Sequence, residues 1–456
     1  MTTEQPRNLK EYHRYKCSDE GWESPTTVQQ VLTERTIEPL YEQFQKSVAQ
    51  NPALPKLYRN EHARFLMTSL ERLSSGYECL DSSRPWLVYW ILNAASVLGV
   101  KLADSVLCRV VDFLIKCRDP KGGFAGGPGQ EPHLAPTYAA VNALCIIGTE
   151  KALNAINRRT LKRFLWAVRE PNGAFRMHIE GELDVRGAYC AIAAFKLAGF
   201  SAEDETKLFE GTSRWISECQ TYEGGFGGAP DLEAHGGYSF CAAAALVLLG
   251  GEDQCDLNAL LRWAVNRQMA LEGGFQGRTN KLVDACYSFW QGALIPIIQS
   301  LMARKEGRPE IMSKILFHRL ALQEYVLICC QKINGGLIDK PKKPADLYHT
   351  CYALSGVAIA QHCDTSQPPL VLGHPDNELL QTHPVHNIPP KAVIEAYKYF
   401  LKHVQIEKED NDGDDSDSSD IEMKEVSSES ASNNGTMSDN SWKESTPEET
   451  VPNLEI

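Results

Sequence analysis

Residues 218–250 read ECQTYEGGFGGAPDLEAHGGYSFCAAAALVLLG, and their pattern indicates the fold class. It contains a Gly-Gly-Phe turn, a polar segment and a Tyr-led run of small and apolar residues that ends at Gly250. A glycine directly after the last apolar residue is typical of a helix C-terminus. A helix that is apolar on all sides has to be buried on all sides. The stretch therefore predicts a helix deep inside a helical protein.

The same pattern recurs along the chain. Five such turns end at residues 124, 175, 226, 275 and 337, at intervals of 51, 51, 49 and 62. Each turn is followed by a Tyr-led helix of small residues, and between turns lies a second helix with a polar face. A period of this size indicates repeated supersecondary units. The unit is a helical hairpin with the Tyr-led helix inside and the amphipathic helix outside.

We therefore predict an all-α fold, an α/α barrel or toroid of about six helical hairpins with inner and outer helix rings. The first inner helix is expected in SRPWLVYWILNAASVLG at 83–99. An open helical solenoid is the alternative. No segment shows the alternation that predicts a strand. We expect an N-terminal arm and first helix in 1–50, the barrel domain in 51–405, and an acidic disordered tail in 406–456.

The net charge of −13 comes from the C-terminal tail. Residues 407–456 carry sixteen acidic and three basic side chains, and the body before them is balanced. A balanced body gives no sign of nucleic-acid binding or of attraction to acidic membranes. No apolar run reaches the ~18 residues of a membrane span, and no N-terminal signal region is visible. The 14 scattered cysteines favour a reducing, cytoplasmic location.

Polar residues occupy one register position of the inner helices. In successive repeats, the residue three positions before the leading tyrosine is Ala135, Arg186, His235, Asp284 and His349. In a closed ring these positions point into the same central space, near the helix N-termini. Asp284, Cys286 and His349 there offer three ligands of the types that zinc uses, with one coordination position left open. A closed four-ligand site that includes Cys351 is the alternative, although Cys351 also suits a packed small hydrophobe.

A cationic group and an aromatic wall surround the same position. Arg278 and Lys281 in FQGRTNK precede Asp284, and His235 and Tyr287 complete the group. Cations in a neutral body mark an anion site, most naturally for a phosphate or diphosphate. Aromatic residues recur on the inner helices: Trp86, Tyr89, Trp90, Tyr138, Tyr189, Phe289, Trp290 and Tyr352. An apolar funnel under a cationic rim fits an amphiphile with a phosphate head.

From about Pro52 to His403 the sequence resembles the β subunits of protein prenyltransferases. The resemblance is carried by SRPWLVYWIL, HLAPTYAAVNALCIIGTE, LDVRGAYC, EAHGGYSFC, GGFQGRTNKLVDACYSFWQGALIP, GGLIDKPKKPADLYHTCYALSG and THPVHNI. It implies a catalytic subunit that transfers farnesyl from farnesyl diphosphate to the cysteine of C-terminal CaaX motifs. It also implies a heterodimer with an α subunit, which contributes a lysine to the diphosphate pocket. A geranylgeranyltransferase type I β subunit is the nearest alternative.

The resemblance further assigns roles to residues. It implies one Zn²⁺ on Asp284, Cys286 and His349, and Mg²⁺ with the diphosphate near Asp339. The implied isoprenoid diphosphate site consists of His235, Gly236, Gly237, Tyr238, Arg278, Thr279, Asn280, Lys281, Tyr287, Ser288, Phe289, Trp290, Arg186 and Tyr189. The implied isoprenoid floor and peptide pocket consists of Trp86, Trp90, Tyr348 and Tyr352. The family's geranylgeranyl enzymes have a smaller residue where this chain has Trp86, so the resemblance favours the farnesyl donor.

The sequence leaves two functions of other classes as alternatives, a terpene cyclase and a non-enzymatic binding module. A terpene cyclase on a similar toroid needs an acidic proton donor inside the barrel. The D-x-D-D pattern of this chain, formed by Asp412, Asp414 and Asp415, lies in the acidic tail instead. A non-enzymatic helical-repeat binding module would leave the metal ligands and the cationic rim without a role.

Overall fold

The computed structural model describes Arg7 and residues 9–18, 21–364 and 367–412. The described chain is almost entirely helical. Its α-helices are α1 Leu9–Tyr12, α2 Pro25–Gln50, α3 Arg59–Glu71, α4 Arg84–Val97, α5 Asp104–Cys117, α6 Leu134–Ile147, α7 Glu150–Asn154, α8 Arg158–Ala167, α9 Val185–Leu197, α10 Ala202–Leu208, α11 Thr212–Glu218, α12 Gly236–Leu249, α13 Leu257–Val265, α14 Tyr287–Glu306, α15 Arg319–Glu324, α16 Leu347–His362 and α17 Pro390–Asp412. Two short strands are β1 Leu337–Ile338 and β2 Ala345–Asp346.

Six helices form a closed inner ring. In chain order they are α4, α6, α9, α12, α14 and α16; each packs against the next, and α16 packs against α4. An open solenoid has no contact between its first and last repeats, so the predicted α/α barrel is confirmed and the solenoid is excluded. The outer helices α3, α5, α8, α11, α13 and α15 each precede one inner helix. The barrel therefore contains six hairpins, as predicted.

Small residues let the inner helices pack closely. A Cβ added to Gly356 in α16 would lie 2.3 Å from the Ser288 backbone of α14. Ten residues of α12 are buried, and five of them are alanine or glycine. The helix end predicted at Gly250 is confirmed, and Gly148 ends α6 in the same way, since both glycines cap their helices with φ of +65°. The Tyr-led helices are thus buried on all sides.

The Gly-Gly turns tie each hairpin to the following outer helix. A Cβ on Gly122 would lie 1.8 Å from the carbonyl oxygen of Thr160 in α8. A Cβ on Gly224 would lie 2.3 Å from the carbonyl oxygen of Ala259 in α13. Both glycines also have positive φ, +120° and +103°, which other residues rarely adopt. The glycines are therefore required by the packing of neighbouring hairpins.

The mostly helical chain contains one short pair of strands, although no segment of the sequence shows strand alternation. Strands β1 and β2 pair antiparallel, Leu337 with Asp346 and Ile338 with Ala345. Isolated antiparallel bridges close the other turns in the same way, for example Gln220 with Phe226. Strands of two residues are too short to show an alternating pattern in the sequence.

The ring is closed at the end where the inner helices finish. Leu380 N donates to the carbonyl oxygen of Val97 at the end of α4 (2.9 Å), and residues 382–388 then enter the ring. Three tyrosine hydroxyls hold this segment: Tyr89 donates to Asn387 O (2.8 Å), Tyr138 to His386 O (3.1 Å) and Tyr189 to Val385 O (2.6 Å). The central cavity therefore has its mouth at the N-termini of the inner helices.

The chain divides into two units, 1–400 and 401–456. The described part of the second unit, residues 401–412, is the end of α17. A helix thus continues into the segment that was predicted to be disordered from residue 406. Residues 413–456, with Asp414 and Asp415, lie outside the described residues. In the described part of the chain, no helix has the length and apolar character needed to cross a bilayer.

Candidate metal centre and anion cavity

The first turns of the inner helices and the loops before them form the mouth. Asp284 and Cys286 lie directly before α14, and His349 lies in the first turn of α16, the next helix of the ring. Asp346 caps α16, since its Oδ1 accepts a hydrogen bond from His349 N at 2.7 Å. A helix cap of this kind fixes the position of the first turn. Asp284 and His349 therefore meet because adjacent inner helices start at the same height.

The candidate metal group consists of Asp284, Cys286 and His349. Their ligand atoms all lie within 4.8 Å of one another, and His349 Nε2 is 3.2 Å from Asp284 Oδ1. A carboxylate, a thiol and an imidazole at this spacing suit a four-coordinate ion with one open position. Cys351 is not part of the group. Its sulfur accepts a hydrogen bond from Asn93 Nδ2 (3.6 Å) inside the ring, which favours a three-ligand site.

The electrostatics of the group favour a bound cation. Burial, and then the charge of Asp284, raise the pKa of Cys286 well above its ordinary value. Burial and Asp284 likewise raise the pKa of Asp339. A divalent cation would compensate the carboxylates and stabilise the thiolate form of Cys286. The residues present therefore fit a metal ion.

Asp346 orients His349 and was not predicted from the sequence. Its Oδ2 lies 2.6 Å from His349 Nδ1, so Nε2 is directed towards Asp284. Burial alone would lower the pKa of His349, but hydrogen bonds with Asp284 and Asp346 raise it to about 9. A carboxylate on the second ring nitrogen is typical of histidines that bind metals. The sequence signal that could have identified Asp346 is the spacing D-x-x-H at the start of a helix.

Asp346→Asn should weaken metal binding by about 10- to 100-fold, because asparagine can still cap α16 but no longer places a carboxylate on His349. A competition titration with a chromophoric chelator measures this affinity. Asp256→Asn is the matched control, because Asp256 caps the outer helix α13 in the same way. If Asp346→Asn and Asp256→Asn both keep the wild-type affinity, Asp346 does not orient a ligand.

A cavity of about 330 Å³ opens beside the metal group. It is lined by Thr26, Gln29, His235, Gly277, Arg278, Asn280, Lys281, Leu282, Asp284, Tyr287 and Lys340. Of these, His235, Arg278, Asn280, Lys281, Asp284 and Tyr287 belong to the residues predicted for the site. Lys340 and the two residues of α2 were not predicted. The lining carries three cations against one carboxylate, which favours an anionic ligand.

Hydrogen bonds and ion pairs hold the polar groups of this cavity. Tyr287 Oη and His235 Nε2 are 2.9 Å apart. Burial, and then Arg278, lower the pKa of His235, so its imidazole is neutral at physiological pH. Arg278 pairs with Glu233, and Lys340 Nζ is 2.6 Å from Asp339 Oδ2. Arg278 and Lys340 are thus positioned by carboxylates before any ligand arrives.

Two predicted residues at the mouth have other partners. The Arg186 guanidinium pairs with Asp184 (Nη2 to Oδ2, 2.6 Å), which caps α9. Thr279 donates to Glu223 Oε2 (2.8 Å), and its hydroxyl accepts from Arg267 Nη1 (2.6 Å). Thr279 therefore stabilises the loop between Arg278 and Lys281 and is not among the residues that line the cavity.

The glycine pair before Tyr238 lets α12 approach the loop that carries Arg278 and Lys281, called the cationic loop below. Gly236 N donates to the carbonyl oxygen of Gly277 at 2.7 Å. A Cβ on Gly236 would lie 2.6 Å from the side chain of Gln291. Gly237 N donates to His235 Nδ1 (3.1 Å), which leaves Nε2 for Tyr287. These glycines act through the backbone.

Aromatic rings form a closed belt inside the barrel. Its members in spatial order are Trp86, Tyr138, Tyr189, Phe240, Trp290, Tyr352, Tyr348 and Trp90, and Trp90 contacts Trp86 again. Neighbouring centroids lie between 4.3 and 5.6 Å apart. Every inner helix contributes to the belt. Phe240 was not predicted, although it follows Tyr238 as Phe289 follows Tyr287.

Trp86 and Tyr352, predicted as the floor of the central cavity, are both members of the belt. The segment 382–388 closes the ring below them through the three tyrosine hydroxyls. Phe289 is fully buried behind Tyr352, at a centroid distance of 5.7 Å. Ser288 is buried against Gly356, so it supports helix packing.

Comparisons with known proteins agree with this architecture. The family described as prenyltransferase alpha-alpha toroid domain matches residues 57–388. The chain is 38% identical over 433 residues to protein farnesyltransferase subunit beta of Arabidopsis thaliana, covering 82% of this chain and 89% of the relative. It is 42% identical over 376 residues to protein farnesyltransferase subunit beta of Pisum sativum, covering 70% and 89%. The solved structure of Candida albicans protein geranylgeranyltransferase-I complexed with GGPP shares the fold, with a TM-score of 0.62 at 21% identity, covering 76% of this chain and 100% of that chain.

Proposed function

The chain belongs to the family of protein farnesyltransferase β subunits, and we propose the following reaction for its central cavity. The chain is the catalytic β subunit of a zinc-dependent heterodimer that transfers farnesyl from farnesyl diphosphate to the cysteine of C-terminal CaaX motifs. One observation carries this proposal: Asp284 belongs both to the three-ligand metal group and to the lining of the cationic cavity. A thiol and a diphosphate bound there are neighbours.

Asp284, Cys286 and His349 would hold the zinc ion, with Asp346 orienting His349. When bound, zinc supplies a Lewis acid that keeps a substrate thiol ionised near neutral pH. Asp339 lies within electrostatic reach of Asp284 and would hold magnesium, which neutralises charge on the diphosphate. Lys340 already forms an ion pair with Asp339, so this carboxylate lies where a cation can bind it.

The remaining chemistry belongs to side chains of the cavity. The sulfur of the substrate cysteine forms a bond to C1 of the allylic chain, and the C1–O bond breaks with its electron pair leaving on the diphosphate. Arg278, Lys281 and Lys340 stabilise the negative charge that grows on the departing oxygen. The His235–Tyr287 pair adds neutral donors at the same edge. Aromatic faces of the belt stabilise positive character on the allyl group.

The distance across the barrel limits the length of the isoprenoid that it can bind. In ring order α12, which follows His235, lies opposite α4, which carries Trp86. A chain that starts at the cationic cavity and crosses the belt meets Trp86 on the far side. Because a packed interior does not expand easily, the tryptophan leaves no room for a further isoprene unit. Farnesyl is therefore favoured over geranylgeranyl, the alternative donor.

Trp86→Thr should shift donor preference towards geranylgeranyl diphosphate by about 100-fold, because it opens the wall that excludes the longer chain. The measurement is a competition between the two diphosphates on one CaaX peptide. Trp166→Thr on the outer helix α8, where the indole is 43% exposed, should leave the ratio unchanged. If wild-type protein already prefers geranylgeranyl, or if Trp86→Thr does not change the ratio, Trp86 does not set the length.

The functions of other classes fit the site less well. A cyclase would use an acidic proton donor in the cavity, but Asp284 is grouped with Cys286 and His349, and Asp339 pairs with Lys340. A binding module would not need a carboxylate that orients a ligand histidine. The direct test is transfer of labelled farnesyl to a CaaX peptide by the chain with and without a co-expressed α subunit. Transfer that requires both chains supports the proposal. Absence of transfer in both preparations contradicts it.

A further inference from the structure

The N-terminal segment is fastened to the turn that precedes the cationic loop. The Arg7 guanidinium donates to the carbonyl oxygens of Ala270 (2.9 Å) and Leu271 (3.3 Å). It also forms a buried ion pair with Glu324. A Cβ on Gly273 would lie 2.8 Å from Arg7 Nη2, so Arg7 packs directly on the backbone of this turn. Arg7 thus lies against the turn between α13 and α14.

Helix α2 is fixed to the same turn by two further contacts. Gln30 Nε2 donates to Glu272 Oε1 at 2.6 Å. The Tyr41 hydroxyl donates to the backbone carbonyl oxygen of Glu272. Glu272 stands only six residues before Arg278 in the chain. The position of α2 relative to the cationic loop is therefore determined by direct bonds to one short segment.

This fastening brings the first turn of α2 to the anion cavity. Thr26 and Gln29 line the cavity together with Arg278, Lys281 and Lys340. The cap of α2 is made by Ser24, whose Oγ accepts from Thr27 N at 3.1 Å. The side chains of Thr26 and Gln29 do not form this cap, and they offer a hydroxyl and an amide to a ligand. Both are exposed, as expected for the open side of a cavity.

We propose that Gln29, with Thr26, forms the outer wall of the diphosphate cavity and limits how tightly the diphosphate is held. This inference rests on the proposed function, because it takes the cavity's ligand to be the diphosphate. Three cations already face the cavity. A fourth cation at position 29 would hold the released diphosphate more strongly and slow its departure. A neutral amide there contributes a hydrogen bond without adding charge.

The test introduces a charge of either sign at position 29 in the chain assembled with its α subunit. Gln29→Lys should lower the inhibition constant of inorganic pyrophosphate, measured in competition with farnesyl diphosphate, by about three- to tenfold. Gln29→Glu should raise it by a similar factor. Both effects should shrink at high salt, because the side chain is exposed. The KM for the CaaX peptide should not change in either variant.

Gln43→Lys and Gln43→Glu are the matched controls. Gln43 is exposed on the same helix but lies about 21 Å further along it, so these variants change the net charge without changing the cavity. Equal responses at positions 29 and 43 would overturn the assignment of Gln29 while leaving the proposed function intact. Failure of pyrophosphate to compete with farnesyl diphosphate in the wild-type protein would overturn both.

Discussion

The Cys286→Ala variant should lose its metal and its farnesyl transfer activity, yet still bind farnesyl diphosphate. Removing one of three ligands weakens zinc binding strongly, since Asp284 and His349 alone make a poor zinc site. The cationic cavity and the aromatic belt do not contain Cys286, so isoprenoid binding should be retained. Metal analysis, labelled transfer and isoprenoid binding measured on one preparation separate these effects.

Cys351→Ala provides the matched control for this variant. Cys351 occupies the same register position one inner helix later and is fully buried. Its sulfur contacts Asn93 and lies outside the metal group. The control should therefore keep its zinc and its activity. Wild-type transfer by metal-free Cys286→Ala protein would refute the metal site.

Combined replacement of Arg278 and Lys281 by alanine should produce the second largest loss. A buried donor to a developing oxyanion contributes about 10²–10³ in rate. The Arg278 side chain is 38% exposed, so each single variant should lose less, about 10- to 100-fold in kcat/KM for farnesyl diphosphate. Arg278 and Lys281 face one cavity, so the loss in the double variant should differ from the combined losses of the two single variants. Steady-state kinetics at fixed peptide concentration measures them.

Glu233→Gln gives this prediction a control of opposite sign. Glu233 pairs with Arg278 at the edge of the cavity, and its neutral isostere leaves the guanidinium to the diphosphate. We expect Glu233→Gln to bind farnesyl diphosphate as well as wild type or better. Wild-type kinetics in the double alanine variant would show that Arg278 and Lys281 are ordinary loop cations.

The repeat made the ring and the metal group predictable. Equivalent positions in a closed ring lie at one height, so the register that contains Asp284 and His349 placed both side chains at the mouth. The order of hairpins made α14 and α16 neighbours, which brought Cys286 within reach of His349. A single hairpin would not have given this information, because D-x-C alone is a weak motif.

Residues outside the repeat could not be placed in this way. Arg7 and Glu324 are 317 residues apart, and no periodicity links Arg7 to α15 or to the turn before α14. The segment 382–388 enters the ring after the last repeat, so the repeat did not show that this segment closes the ring. Thr279 stands between two cavity residues, but loop backbones have no fixed period, and its hydroxyl bonds Glu223 and Arg267. The directions of loop side chains required the structure.

We propose that the centre formed by Asp284, Cys286 and His349 binds the thiol of the substrate. Cobalt substituted for zinc tests it directly, because each thiolate ligand adds intensity to the sulfur-to-cobalt charge-transfer band. The band should grow when a CaaX peptide is added to the cobalt-loaded heterodimer with a non-reactive farnesyl diphosphate analogue. A peptide with serine in place of the cysteine should leave it unchanged. A band that does not respond to the cysteine peptide would contradict the claim.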